Sequence, residues 1–379
     1  MKKAIFFGVF YFMVAIYIFS QNPVFFTVEN GVLIRYSGTE KDVIIPENLG
    51  IVEIGNKAFA NKSLTSIIIP NSVKKIGTSA FENNRTLKNI IIPGNIETIG
   101  TKAFYYCSGL TDVTISNGII NIEDNAFEEC GLIKLNIPKS IASIGKEVFL
   151  YNRNLSQIIV DKDNEYFFSD QSGVLYGKKN NQLIYYPFAK KDKSYKIQQN
   201  IESIADSAFL GNKNIVEIIM PDSLKIVGKK VFMNSSIANI TFSKNLQLLS
   251  SSAFSRCDKI INLVLPDSIE IIEEACFSGC ENLVNIYIPK NIKTISGLLF
   301  KDCKKLETIN LPMGLEKIGY EAFYNCKSLK ILTIPSSVKS IDTGFVAGCD
   351  KLEQINISRN MVLESSSLPR YQDKVVYID

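Results

Sequence analysis

Histidine and tryptophan are both missing from this chain of 379 residues. Without histidine there is no imidazole base near neutral pH, no Ser-His-Asp triad and no histidine-ligated zinc. A G-x-S-x-G elbow and a convergent pair of acids are missing too, so no hydrolase, and no enzyme of any other class, is expected. An excess of one charge is also lacking. Lys and Arg total 42 against 38 Asp and Glu, and two of the resulting +4 are Lys2 and Lys3. That is too little for a nucleic-acid footprint or for strong attraction to anionic membranes. Long apolar runs are scarce. The exception is Ala4 to Phe19, which follows Lys2-Lys3 and precedes the small Ser20. Residues 1–20 therefore read as a secretory signal, since the run is shorter than the roughly 20 residues of a spanning helix. An uncleaved anchor is the rival reading. Cleavage would leave no membrane span and a protein that is secreted or held at the cell surface.

What the chain has instead is a repeat. Leu283 to Cys303 and Leu306 to Cys326 both follow LxxIxIPxxIxxI(G)xxAFxxC, except that Leu299 replaces the alanine in the first. The slot closing each LxxIxI run falls at 46, 70, 93, 116, 138, 161, 198, 221, 243, 266, 289, 312, 335 and 358, and twelve of the thirteen intervals are 22 to 24 residues. This period and spacing specify a leucine-rich-repeat solenoid. Short parallel β-strands are expected on one face. Short helical or 3-10 turns and irregular coil are expected on the other, around the Ala-Phe pair. Proline, with no N–H to donate, stops each strand. Glycine at 55, 77, 100, 145, 228 and 319 is expected to permit a bend.

Phenylalanine recurs at 59, 81, 104, 127, 149, 209, 232, 254, 277, 300 and 323, with Val346 last. Rings repeated at the rise of a parallel sheet, about 4.8 Å, predict a continuous stacked spine. Cysteines 107, 130, 257, 280, 303, 326 and 349 share one slot with Lys62, Asn84, Asn152, Asn212 and Ser235, while Cys276 stands in the alanine slot. No C-x-x-C is present, and ligands in single file do not converge on a metal, so neither a metal site nor a cofactor is expected. Buried thiols are the main reading; disulfides between successive coils are the alternative. Asp161, Asp163 and Glu165 alternate, but Tyr166 stands where a calcium loop needs glycine.

The interval from 161 to 198 is a coil plus 14 residues. Val174 to Tyr176 and Leu183 to Tyr186 predict a hairpin, and Phe167-Phe168 with Gly173-Val174-Leu175 echoes Phe25-Phe26 with Gly31-Val32-Leu33. The expected organisation is a signal (1–20), an N-terminal cap with a hairpin (21–46), a first array (47–160), a hairpin insertion (161–197), a second array (198–358) and a C-terminal cap or tail (359–379).

The stretch IGYEAFYNCKSLKILTIPSSVKSI (318–341), with GVLY (173–176) and LIYYP (183–187), resembles the BspA-like, treponemal-type leucine-rich repeats. The resemblance implies an exported bacterial protein, or a protozoan surface protein, of a kind linked to adhesion to host matrix, coaggregation or host-cell signalling. It implies no catalytic residues. The glycine slot departs from the pattern at Glu123, Ala205, Ser250, Glu273, Ser296 and Asp342.

Function is expected on the outward strand positions, which a solenoid lines up as one face. There Asn239, Asn262 and Asn285 run in file, and Val264, Tyr287, Thr308 and Asn310 stand beside them. Apolar groups among amides suit protein binding. The expected partner is a host extracellular-matrix or cell-surface protein, or another microbial surface protein. The other reading is a structural envelope spacer that assembles with itself. Oligomeric state is not legible.

Overall fold

The computed structural model describes residues 23–362 and 368–378. The expected signal lies outside them. The described chain is a parallel β-solenoid with little helix.

The coil that begins at Leu87 illustrates the design. Its strand Asn89–Ile92 buries Ile90 and Ile92 and exposes Asn89 and Ile91. It pairs in parallel with Asp112–Ile115 of the next coil, Ile90 opposite Val113 and Ile92 opposite Ile115. Alternate residues of a strand point to opposite faces, so the Leu-Ile-Ile spacing places all three apolar groups inside. After Pro93 the chain turns and forms a second, two-residue strand, Thr98–Ile99, flanked by Lys75–Ile76 and Asn121–Ile122. Two ladders therefore run along the molecule rather than the expected one. The second exists because its isoleucine slot also recurs in register.

The Ala-Phe segment is not helical in any coil of the described arrays; 3-10 helix is confined to Pro23–Phe25, Glu47–Leu49 and Leu368–Lys374. The segment is instead a ribbon of tight turns with left-handed residues on each side of the ring. Around Phe104 these are Lys102 (φ 56°) and Tyr106 (φ 61°). Alternate N–H groups donate to the following coil: Lys102 to Asp124 O (2.9 Å), Phe104 to Ala126 O (2.8 Å) and Tyr106 to Glu128 O (3.0 Å). The residues between them close local turns, Ala103 N–H to Gly100 O (3.0 Å) and Tyr105 N–H to Lys102 O (3.0 Å). A helix would turn all these groups inward upon itself; the ribbon uses half of them to join coils. The glycine slot works differently from expectation as well. Gly100 has no positive φ, and a Cβ there would lie 2.6 Å from Ile76 O, so glycine permits close approach of coils rather than a bend.

The shared cysteine slot has a common task. The Cys107 thiol donates to Phe81 O at 3.1 Å, and Cys130, Cys280, Cys303, Cys326 and Cys349 repeat the contact one coil apart. All eight cysteines are free and buried. Asn84 does the same with an amide, donating to Phe59 O (2.8 Å) and Phe81 O (2.7 Å) while accepting from Leu64 N (3.0 Å). A small donor is required because a buried carbonyl without a partner is costly.

The rings stack in two columns, not one. Phe59 to Phe127 repeat at 5.1–5.3 Å with planes inclined by 2–8°, and Phe209 to Phe323 at 5.0–5.9 Å with planes inclined by 6–28°. Between them Phe149 meets Tyr185 at 5.9 Å and 59°. The core divides at the same place into two apolar clusters.

At this seam the insertion forms a three-stranded antiparallel meander, Phe167–Ser169, Leu175–Gly177 and Gln182–Tyr185, with one strand more than the expected hairpin. Its last strand begins the second array, Leu183 opposite Ile204, as Val32–Tyr36 begins the first, Leu33 opposite Ile54. Tyr186 N–H donates to Ala208 O as Tyr36 N–H does to Ala58 O. The echoed segments form like antiparallel hairpins, with Gly31 (φ 77°) and Gly173 (φ 78°) at the turns, but the strand that opens the array is Val32–Tyr36 in one and Gln182–Tyr185 in the other. A partly buried chain of bonds pins the meander. Asp170 accepts from Val174 N–H (2.9 Å) and Tyr195 Oη (2.6 Å), which meets Tyr176 Oη at 2.5 Å.

At the far end Val375–Ile378 adds a parallel strand to Gln354–Ser358, and Tyr371 sets its ring edge-on to Phe345.

Candidate protein-interaction surfaces

The first ladder positions the strand face. In Asn262–Val264 and Asn285–Tyr287, the middle residues Leu263 and Ile286 point inward and the flanking ones outward. Register sets Asn262 beside Asn285 and Val264 beside Tyr287. A bridge from Tyr287 to Asn310 extends the row by one coil. The result is a shallow depression of about 270 Å³ lined by Asn262, Val264, Asn285, Tyr287, Thr308 and Asn310 over a floor of Leu263, Ile286 and Ile309. Val264 is 73% exposed and Tyr287 46%.

Polar groups around these side chains are partly engaged. Asn285 Nδ2 donates to Asn262 Oδ1 (2.9 Å), and Tyr287 Oη donates to Asp267 Oδ1 (2.9 Å). That bond raises the Tyr287 pKa above its ordinary value, so the ring stays neutral and its position is fixed from one side. Fixing an aromatic ring before a partner arrives lowers the entropy cost of binding.

Asn239 lies outside the depression. Its strand, Asn239–Thr241, belongs to the preceding sheet, and the ladder is interrupted before Asn262–Val264. This coil carries Phe242 where its neighbours carry Met220 and Leu265, and the half-buried ring packs edge-on against Phe254 at 6.1 Å.

A second apolar column stands at the other end of the face. Ile44, Ile68 and Ile91 are 54%, 59% and 67% exposed. Ile44 and Ile68 are ladder neighbours in paired strands. Ile44 belongs to the coil that the repeat pattern assigns to the cap, which is why sequence reasoning passed over it.

A cleft of about 780 Å³ opens on the second-ladder side of the seam, between Ala142–Glu147 and the meander, with Ile144, Phe167, Ile184 and Ile204 among its apolar lining; no sequence pattern points to it. Here the second ladder stops at Ser143–Ile144 and restarts at the meander. One side-chain bond spans it, Ser207 Oγ to Glu147 Oε1 at 2.8 Å.

Among the described residues no group of His, Cys, Asp and Glu could hold a metal ion. Burial pushes the Cys107 and Cys257 thiols up to about 12, so neither is a nucleophile near neutral pH. No described helix is long and apolar enough to cross a membrane.

A family model for the BspA type leucine-rich repeat region matches the chain in six copies, over residues 36–168, 184–306 and 248–368. The matches leave out part of the meander. No curated protein matches. Among solved structures, the pneumococcal vaccine antigen PcpA is similar at 26% identity and a TM-score of 0.64, covering 80% of this chain and 74% of that one. A leucine-rich-repeat protein from Eubacterium ventriosum (21% identity, TM-score 0.64, 84% and 88% covered) shares the fold. So does one from Bacteroides ovatus (23%, 0.57, 93% and 97%).

Proposed function

We propose that this chain, which belongs to the BspA-type leucine-rich-repeat family, is an exported, non-enzymatic binding module that engages a surface protein of another cell through its strand face. The observation that carries this reading is the depression at Asn262–Asn310, where exposed Val264 and Tyr287 stand among amide side chains on a rigid ladder. Such a patch offers an aromatic anchor, an apolar contact and hydrogen-bonding rims, the composition of a protein interface core. Balanced charge directs recognition toward shape and amide bonding rather than electrostatic steering. Export is supported by the sequence of residues 1–20 and by likeness to a pneumococcal vaccine antigen. The partner class is a host matrix or cell-surface protein, or a surface protein of another microbe.

The test is a binding screen of residues 21–379 against such proteins, repeated with Tyr287→Ala and Val264→Asp. Each substitution is expected to weaken the interaction by about tenfold or more, the loss of a hot-spot contact. Unchanged binding in both variants sinks the assignment of this face.

A structural reading has its own support. Among the described residues the terminal strand Val375–Ile378 has a partner on one edge only, and Val376 and Tyr377 are 42% and 59% exposed. An open edge of this kind invites another strand. Light scattering that shows concentration-dependent growth without any foreign protein favours a self-assembling spacer.

A further inference from the structure

The seam cleft is a missing rung. Along most of the second ladder each coil receives the next; the one other break among the described residues, between Ile271–Ile272 and Thr294–Ile295, is bridged by Ser296 Oγ donating to Ile272 O and leaves Ile272 buried. Ile120 O accepts the Ala142 and Ser143 N–H groups (2.8 and 3.2 Å), and Ile122 O accepts Gly145 N–H (2.8 Å). The corresponding carbonyls one coil on, Ala142 O and Ile144 O, meet no donor among the described residues. Ser143–Ile144 is paired on one side only. The side chain tells the same story. The isoleucine slot of this ladder is fully buried at Ile122, Ile204 and every other described coil, and only Ile144 remains partly open. A backbone edge and an apolar side chain thus face one cavity of about 780 Å³.

We propose that this cleft binds an extended segment of a partner protein as an added parallel strand. Three requirements define the segment. Two of its N–H groups, three residues apart, reach Ala142 O and Ile144 O, so neither position is proline. A residue between them is apolar and covers Ile144. The flanking side chains are polar, because the rim is charged yet balanced: Asp124, Glu147 and Asp206 against Lys146, Lys179 and Lys229. A rim of that balance suits neither a polyanion nor an anionic lipid surface, whereas an open strand edge is specific for polypeptide backbone. The volume lies in the range of ordinary ligand pockets and admits a short peptide.

The chain's own repeat supplies the probe. Residues 223–229 contain the rung that docks on Ser203–Ile204, with Lys225 N–H on Glu202 O (2.8 Å) and Gly228 N–H on Ile204 O (3.0 Å). A fluorescent peptide of this sequence is expected to bind the 21–379 chain saturably by anisotropy. N-methylation at the positions of Lys225 and Gly228 is expected to abolish binding. N-methylation at the position of Val227, whose amide points away from the docking edge, is expected to be tolerated. Ile144→Asp is expected to weaken binding by about tenfold or more. Tyr287→Ala is expected to leave it unchanged, which separates this site from the strand face. The proposal is overturned if no saturable binding occurs at millimolar peptide, or if the doubly methylated peptide binds as tightly as the parent. That comparison uses the unmutated protein and stands even where Ile144→Asp fails to fold. A concentration-dependent dimer abolished by Ile144→Asp also overturns it, since the occupant is then a second copy.

Discussion

The coils built on Phe104 and on Phe149 are written in the same residue types and live in different surroundings. Phe104 stacks between Phe81 and Phe127 at 5.1 and 5.2 Å, and the Lys102, Phe104 and Tyr106 N–H groups all reach the next coil. Phe149 is tilted 59° to Tyr185, and the Glu147, Phe149 and Tyr151 N–H groups donate to no backbone carbonyl. A coil's sequence therefore specifies its own shape, while its stability comes from whichever coil lies on either side. The seam is where that dependence becomes visible.

The comparison can be broken most forcefully at the rings. Phe104→Ala is expected to cost about 3–5 kcal/mol, and Phe149→Ala about 1–2 kcal/mol less, because its stack is already incomplete. Urea unfolding of both variants checks the ordering, and equal losses would show that the seam coil is packed as well as the others. Next in size is Asp170→Ala, which strips the acceptor from Val174 N–H and Tyr195 Oη. The expected loss is about 2–3 kcal/mol, the cost of buried polar groups left without partners. Hydrogen exchange should accelerate across residues 167–195 before the phenylalanine columns.

Alkaline titration sharpens the contrast without mutation. Burial leads the causes that raise Tyr176 at the seam to about 12, and likewise Tyr36 in the N-terminal hairpin. Their ordinary value is near 10. Folding favours the protonated phenol, so the stabilisation is complete below about pH 10 and is lost as pH rises through 12. Exchange protection should fail first at these two starts of the array, since a phenylalanine column has nothing to titrate. The smallest expected effect is a gain. Lys230 holds a left-handed conformation (φ 55°) in the slot that Gly344 fills at φ 70°. Lys230→Gly should stabilise by a few tenths of a kcal/mol up to about 1. A lower melting temperature would mean that the side chain contributes more than the backbone strain costs.

How much of this was legible depends on whether a residue's role is local or relational. The ring column, the cysteine slot and the outward strand positions follow from periodicity, since a fixed spacing fixes a direction. The turn ribbon was not legible. Left-handed backbone is usually announced by Gly or Asn, whereas here Lys102, Tyr106 and Leu298 adopt it because the neighbouring coil supplies acceptors. Asn239 matches Asn262 and Asn285 in the pattern, yet its strand falls in a different sheet and it lies outside the depression. Ile144 is the sharpest case. It has the same residue type as its column, and nothing in its own coil reveals that the rung above it is absent.

The one-way orientation of the ribbon amides bears on how such a molecule changes over generations. Each described turn within an array, except the last, hands donors forward to its successor, so a duplicated or deleted internal unit rejoins its neighbours without a mismatch. Length is thereby free to drift through unequal recombination, while inverting a single unit would set donor against donor and is forbidden. Only the interruption at 161–197 has fixed addresses on both sides, and it anchors the count of everything on either flank.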